Sequence, residues 1–244
     1  MRHFRRRAVG ALGAGCLILA GCTSDRPGLP DRPGEKDTVT IAVNPYEPEQ
    51  VVLAEIFHQV LTALGRNSSV TEAELDSRTS AVDIITTQNA NFTFACTGVL
   101  LHKLNPGAAV RLAEEHTGQA FASGSDEASV ATYDAVVGAF PGTVMTVDPS
   151  PAQGCDENTG GVPHLPHNII PVFSKNMFTR AQVQRINFIT RVLNTKDLME
   201  MSEHVRAGDP VNEVVADWLL EYASIDPNVR IEDPEDISQQ QAPI

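Results

Sequence analysis

Aromatic side chains are scarce in this 244-residue chain, with one Trp, three Tyr and nine Phe. A site relying on several ring faces has little material to draw on. Basic residues are also few: 18 Lys and Arg stand against 31 Asp and Glu. That balance makes nucleic acid and bare anionic lipid poor partners. Long apolar runs are missing as well; Ala8 to Ala20 is thirteen residues, too short to span a bilayer. Beyond residue 21 there is no G-x-S-x-G, H-E-x-x-H, phosphate loop or G-x-G-x-x-G. Signals for an enzyme or a bound cofactor are therefore thin, and neither is expected. Glu114-Glu115 and Glu47 with Glu49 read as solvated faces.

What is present begins with a leader. Arg2, Arg5, Arg6 and Arg7 precede the apolar run, the layout of a secretory signal over residues 1–21. The run ends in Leu19-Ala20-Gly21-Cys22, which resembles a bacterial lipobox, with cleavage before Cys22 and lipid on its thiol. An ordinary secretory signal is the alternative, and the residues after Arg6-Arg7 fit Sec export better than twin-arginine export. Two or three acyl chains suffice for stable anchoring, so the expected place is the extracytoplasmic face of the cell membrane. The 223 residues left after cleavage carry 14 Lys and Arg against 31 acids, a net charge of −17.

Residues 22–37 are rich in Pro, Gly and charge and read as a flexible tether, up to ~50 Å if fully extended. Strand character starts at Thr38–Val43. A helix follows, with Val52, Leu53, Ile56, Val60, Leu61 and Leu64 as its stripe and Gly65 as its stop. Further strands are expected near Ser69, at Val82–Ile85, at Phe92–Cys96, at Thr143–Val147 and at Asn168–Phe173, where Pro171 argues for an edge or a bend. Thr97-Gly98 leads into an apolar turn through Leu101. Helices are expected at 107–117, at 126–139 behind a Ser125 cap, and in three closing stretches. The closing ones run from Thr179 to Leu193, from a Thr195 cap, and from an Asp209 cap with Pro210 in the first helical position. The acidic, Gln- and Pro-rich 226–244 reads as a frayed tail. Strands alternating with helices predict an α/β sandwich around a mostly parallel sheet within 38–225.

Cys16 leaves with the leader and Cys22 takes the lipid, so Cys96 and Cys155 remain in an oxidising compartment. They most simply form one disulfide; a metal pair or two free thiols are the alternatives. A bridge would close a loop of about 60 residues and add ~3–4 kcal/mol.

Two stretches carry a resemblance. TVTIAVNPYEPEQVVLAEIFHQVLTALG (38–65) is similar to the opening strand, Glu-Gln loop and first helix of one family, and IIPVFSKN with INFITRVLNTKDLMEMSEHVRAGDPVNEVVADWLLE is similar to its Pro-Val strand and closing helices. The family is the extracytoplasmic solute-binding proteins of ABC importers for osmoprotectants such as glycine betaine, choline and carnitine. The resemblance implies a type II periplasmic-binding-protein-like lobe, a quaternary-ammonium ligand, a permease subunit as partner and the lipid anchor as membrane contact. Members carry a second lobe between strands like 143–147 and the Pro-Val strand. Here only Asp148 to His167 lie between, so the second lobe is expected to be truncated, with 143–173 as a shortened crossover.

The same resemblance implies a ligand set: Tyr46 and Phe94 as ring faces, with Asn44, Thr97, His167 and Asn168 as polar contacts. Cys96 and His167 stand where the family has tyrosines, which erodes the cation cage. Phe92 is another possible ring, Tyr46 otherwise reads as a loop aromatic packing on the first helix, and Trp218 reads as core. His164 and His167, even with His102 and His116, read as solvated loop residues and not as a metal site, because Pro166 keeps the pair off a helix. Two functions follow as expectations: solute capture for an importer, or a degenerate one-lobe envelope lipoprotein that binds a protein without transport.

Overall fold

The computed structural model of the chain describes residues 37–73, 79–87, 90–116, 127–155, 163–226 and 229. The leader, Cys22 and nearly all of the tether lie outside them, as do Ser125 and most of 226–244. In chain order the elements are β1 (Val39–Val43), α1 (Pro48–Ala63), β2 (Ser68–Glu72), α2 (Ala81–Thr87), β3 (Phe92–Cys96), α3 (Thr97–Leu104), α4 (Pro106–Glu115), α5 (Glu127–Gly138), β4 (Val144–Met145), β5 (Ile169–Ser174), α6 (Arg180–Val192), α7 (Thr195–Ala207) and α8 (Val211–Ala223). All belong to one compact unit, Arg32–Ile244.

Alternation along each strand sends side chains to two opposite faces. Val39, Ile41 and Val43 of β1, with Phe92, Phe94 and Cys96 of β3 and Ile169 and Phe173 of β5, face a layer made by α1, α6, α7 and α8. Ala95, Ile170 and Val172 face the other way, against a core that includes Val82, Leu100, Leu101, Ala109 and Val136 from α2, α3, α4 and α5. The sheet is thus covered by helices on both sides. At the centre of the first layer Phe57 packs its ring 5.4 Å from Phe92 and 5.3 Å from Phe94, while Phe92 stacks on Phe173 at 5.7 Å. Burying such a ring contributes about 2–3 kcal/mol, so this cluster joins the opening helix to both central strands.

The strand order is β2-β1-β3-β5-β4. β1 is parallel to β2 and β3, but β5 is antiparallel to β3 and β4, so the sheet is mixed where a mostly parallel one was expected. Pro171 lies opposite Phe94 inside this arrangement. Its carbonyl accepts the Thr146 hydroxyl at 2.5 Å, on the side where β4 has already ended. N–H and C=O of one strand residue point the same way, so the missing proline donor falls on a locally free edge.

Several expected boundaries shift. Val82–Ile85 is helix, not strand. Ser80 N and Oγ both donate to Asp83 Oδ2 while Asp83 N donates to Ser80 Oγ, a reciprocal cap that starts α2. The apolar turn after Thr97 is the helix α3, and the strand expected over 143–147 narrows to two residues. Asn194 caps α7, its side chain accepting from Asp197 N, whereas Thr195 Oγ1 accepts from Gln153 N. Pro210, not Asp209, is the cap of α8, and the Asp209 carboxylate is engaged by His204 at 2.8 Å.

Candidate binding site at one edge of the sheet

β1 continues through α1 to β2 on one side, and the chain returns through α2 to β3 on the other. The carboxyl ends of β1 and β3 therefore flank a topological switch point, where open α/β sheets hold ligands. Because β5 runs antiparallel, its amino end, with His167 and Asn168, lies at this edge too.

At the end of β1 the chain makes a self-contained loop. Glu47 takes Asn44 Nδ2 on Oε1 at 3.0 Å and Gln50 Nε2 on Oε2 at 2.6 Å. Gln50 Oε1 accepts from Asn44 N, and Asn44 Oδ1 accepts from Tyr46 N, an Asx turn. The polar groups of Asn44 are thus used within the loop. The Tyr46 ring projects into solvent, 89% exposed.

At the end of β3 the geometry is closed. Thr97 and Asn168 are fully buried, and Thr97 N donates to Asn168 O at 2.9 Å. Thr97 Oγ1 and Gly98 N both donate to Pro166 O at 2.9 Å, supplying partners for the first turn of α3. A Cβ on Gly98 would lie 2.8 Å from Pro166 O, 2.9 Å from Leu165 Cβ and 3.1 Å from His167 Cε1, so only glycine permits this approach. Asn168 Nδ2 donates to Ser150 O at 3.0 Å, while its buried Oδ1 has no hydrogen-bond partner among the described residues.

The Cys96–Cys155 disulfide is present, its Cα atoms 6.1 Å apart, within the range such bridges need. It joins the end of β3 to the segment leaving β4. That segment pairs with the start of β5: Ser150 N donates to Ile169 O and Ile169 N to Ala152 O. Ser150 Oγ donates to Leu193 O and Gln153 N to Thr195 Oγ1, so the outgoing chain is also tied to α6 and α7.

Thr97, His167 and Asn168 are therefore brought together, with Asn44 and Tyr46 on the neighbouring strand end. Phe94 is not with them; its ring lies inside the Phe57–Phe92 cluster, turned to the core. Phe92 is equally buried. Trp218 is buried and donates Nε1 to Asp197 Oδ2 at 3.1 Å. No group of three or more His, Cys, Asp and Glu gathers among the described residues. Pro166, Ser150, Glu47 and Gln50 shape this edge, and none of them was expected from the sequence to act in the site. Only the Glu47–Gln50 spacing carries a local signal; the roles of Pro166 and Ser150 come from contacts across the fold.

No family model matches this chain, and no curated protein matches it. Among solved structures, it is similar to lactococcal OpuAC in its closed-liganded conformation complexed with glycine betaine. The identity is 11% and the TM-score 0.42, over 77% of this chain and 97% of that one.

Proposed function

We propose that this chain is a lipid-anchored envelope protein, kin to the osmoprotectant-binding components of ABC importers, that binds a protein partner and does not transport. One lobe remains, and the 148–167 stretch replaces the second. The lipobox at Cys22 and the two resembling stretches support the kinship; the permease subunit of such an importer is the partner the kinship points to. The carrying observation is the contact of Pro166 O with Thr97 and Gly98. The face on which a solute would rest is filled by the chain's own Leu165–Asn168, and a solute would have to displace several hydrogen bonds to reach Thr97 or Asn168. Tyr46 offers what a protein interface uses instead, an aromatic ring exposed on a hydrogen-bonded loop. Titration calorimetry of the full chain with glycine betaine, choline and carnitine tests this: no heat is expected with any of them.

A second reading, solute capture for an importer, is favoured by one arrangement. Tyr46, with its ring exposed, and Glu47 follow one another in the loop at the switch point, and a ring face and a negative charge both suit a quaternary ammonium. In that reading Asn44, Thr97, His167 and Asn168 supply polar contacts once 165–168 moves away. Saturable heat with any one of the three solutes, lost in Tyr46→Ala, would establish it over the first.

A further inference from the structure

We propose that β2 is a self-pairing edge through which two copies of this chain join their sheets. β2 has one strand neighbour, β1, and ends the strand order. Val39 N donates to Asn67 O, and Ala73 N donates to Val43 O. In a parallel ladder the residues that face a neighbour alternate, so Asn67, Ser69, Thr71 and Ala73 face β1. The backbone N–H and C=O groups of Ser68, Val70 and Glu72 then point away from the sheet. Among the described residues none of these outward groups is hydrogen-bonded.

Natural edges are blunted by lysine, proline, a bulge or shortness. β4, at the opposite edge, is blunted by its two-residue length. β2 has five residues, SSVTE, without lysine or proline, and its one charge, Glu72, stands at its last position. Val70, at its middle, is 47% exposed.

A second copy fits this edge in one register. In a two-fold antiparallel pair centred on Val70, Val70 meets its own symmetry mate and Ser68 meets Glu72. All three outward residues on each chain are then matched, making six main-chain bonds. Glu72 is the strand's single charge. This register puts the two carboxylates at opposite ends, each across from a serine, and the two half-exposed valines cover each other. Shifting the register by two residues leaves outward groups unpaired on both chains. The product is one continuous ten-stranded sheet. Contact along a five-residue edge is small, so the association is weak.

Sedimentation equilibrium of the full chain in detergent, from about 5 to 500 µM, tests this over the concentrations such a contact requires. The expected result is a monomer–dimer equilibrium that is lost in Val70→Lys, where like charges meet at the axis. Glu72→Lys, whose partner across the pair is a serine, keeps the dimer. Circular dichroism and the thermal midpoint report whether Val70→Lys folds; if it does not, Val70→Pro removes the outward donor while leaving every β1 bond in place. A wild-type chain monomeric throughout, or a folded position-70 variant that dimerises like wild type, overturns the proposal.

Discussion

Gly98 donates its backbone N–H to the carbonyl of Pro166, 68 residues away in the chain, at 2.9 Å. That bond lies where the amino end of α3 meets the chain entering β5, and the same oxygen takes the Thr97 hydroxyl. The closure of the sheet edge depends on this approach.

Gly98→Ala introduces a methyl 2.8 Å from a backbone oxygen and 2.9 Å from Leu165 Cβ, neither of which can swing away cheaply. The expected loss is about 1–3 kcal/mol, as for an overpacked core site. Chemical denaturation would show it as a lower midpoint with an unchanged slope. An unchanged midpoint would mean that the 165–168 segment is not held tightly.

The paired change Cys96→Ala with Cys155→Ala opens a link between residues 59 apart. It should cost ~3–4 kcal/mol. Beyond this global loss, amide hydrogen exchange at Thr97 and Gly98 should rise more than exchange in α7 and α8. A thiol assay finding two reactive cysteines in the native protein would count against the bridge itself.

Tyr133 donates its hydroxyl to Val147 O at 3.0 Å, and its pKa is pushed from 10.0 up to about 12 by burial, then by the charges of Asp148 and Asp134. A pKa raised on folding means the unfolded chain releases this proton first. The stabilisation is complete below pH 10 and is lost as pH rises from there toward 12. Tyr133→Phe should flatten the alkaline limb of a plot of stability against pH between those values, and an unchanged limb would exclude this tyrosine as its source.

Arg185 is buried on α6 with Nη2 donating to Ala223 O at 3.0 Å and its guanidinium 5.1 Å from the Phe188 ring. Its Nε has no partner, no carboxylate pairs with it among the described residues, and burial lowers its pKa. The carbonyl at the end of α8 is a modest return for removing a cation from water. Arg185→Met keeps most of the volume without the charge and should raise the thermal midpoint. A fall of several degrees would show that the bond to Ala223 outweighs desolvation.

Tyr46→Ala should leave stability within about 0.5 kcal/mol of wild type, since its ring is almost wholly in solvent. Glu47→Ala should act differently. Without the carboxylate the Asn44 and Gln50 amides lose their common acceptor, and exchange at the Asn44 and Tyr46 amides should quicken. If exchange there stays as slow as in wild type, Glu47 does not hold the loop.

Short-range pattern determined much of this chain by itself. The α1 stripe from Val52 to Leu61 could be read directly, because residues three and four apart share a helix face. The Phe92–Cys96 strand was legible for the matching reason, a period of two. Val82–Ile85 was not, since a short β-branched run suits either element, and the Ser80–Asp83 cap decided for helix. The two leftover cysteines narrowed the pairing to Cys96 and Cys155. Only the tertiary structure decided that β5 runs against β3, that Phe94 turns into the core, and that Pro166 closes over Gly98. Strand direction and closure depend on partners dozens of residues apart, selected by which faces must be buried together, and spacing along the chain carries no record of that choice.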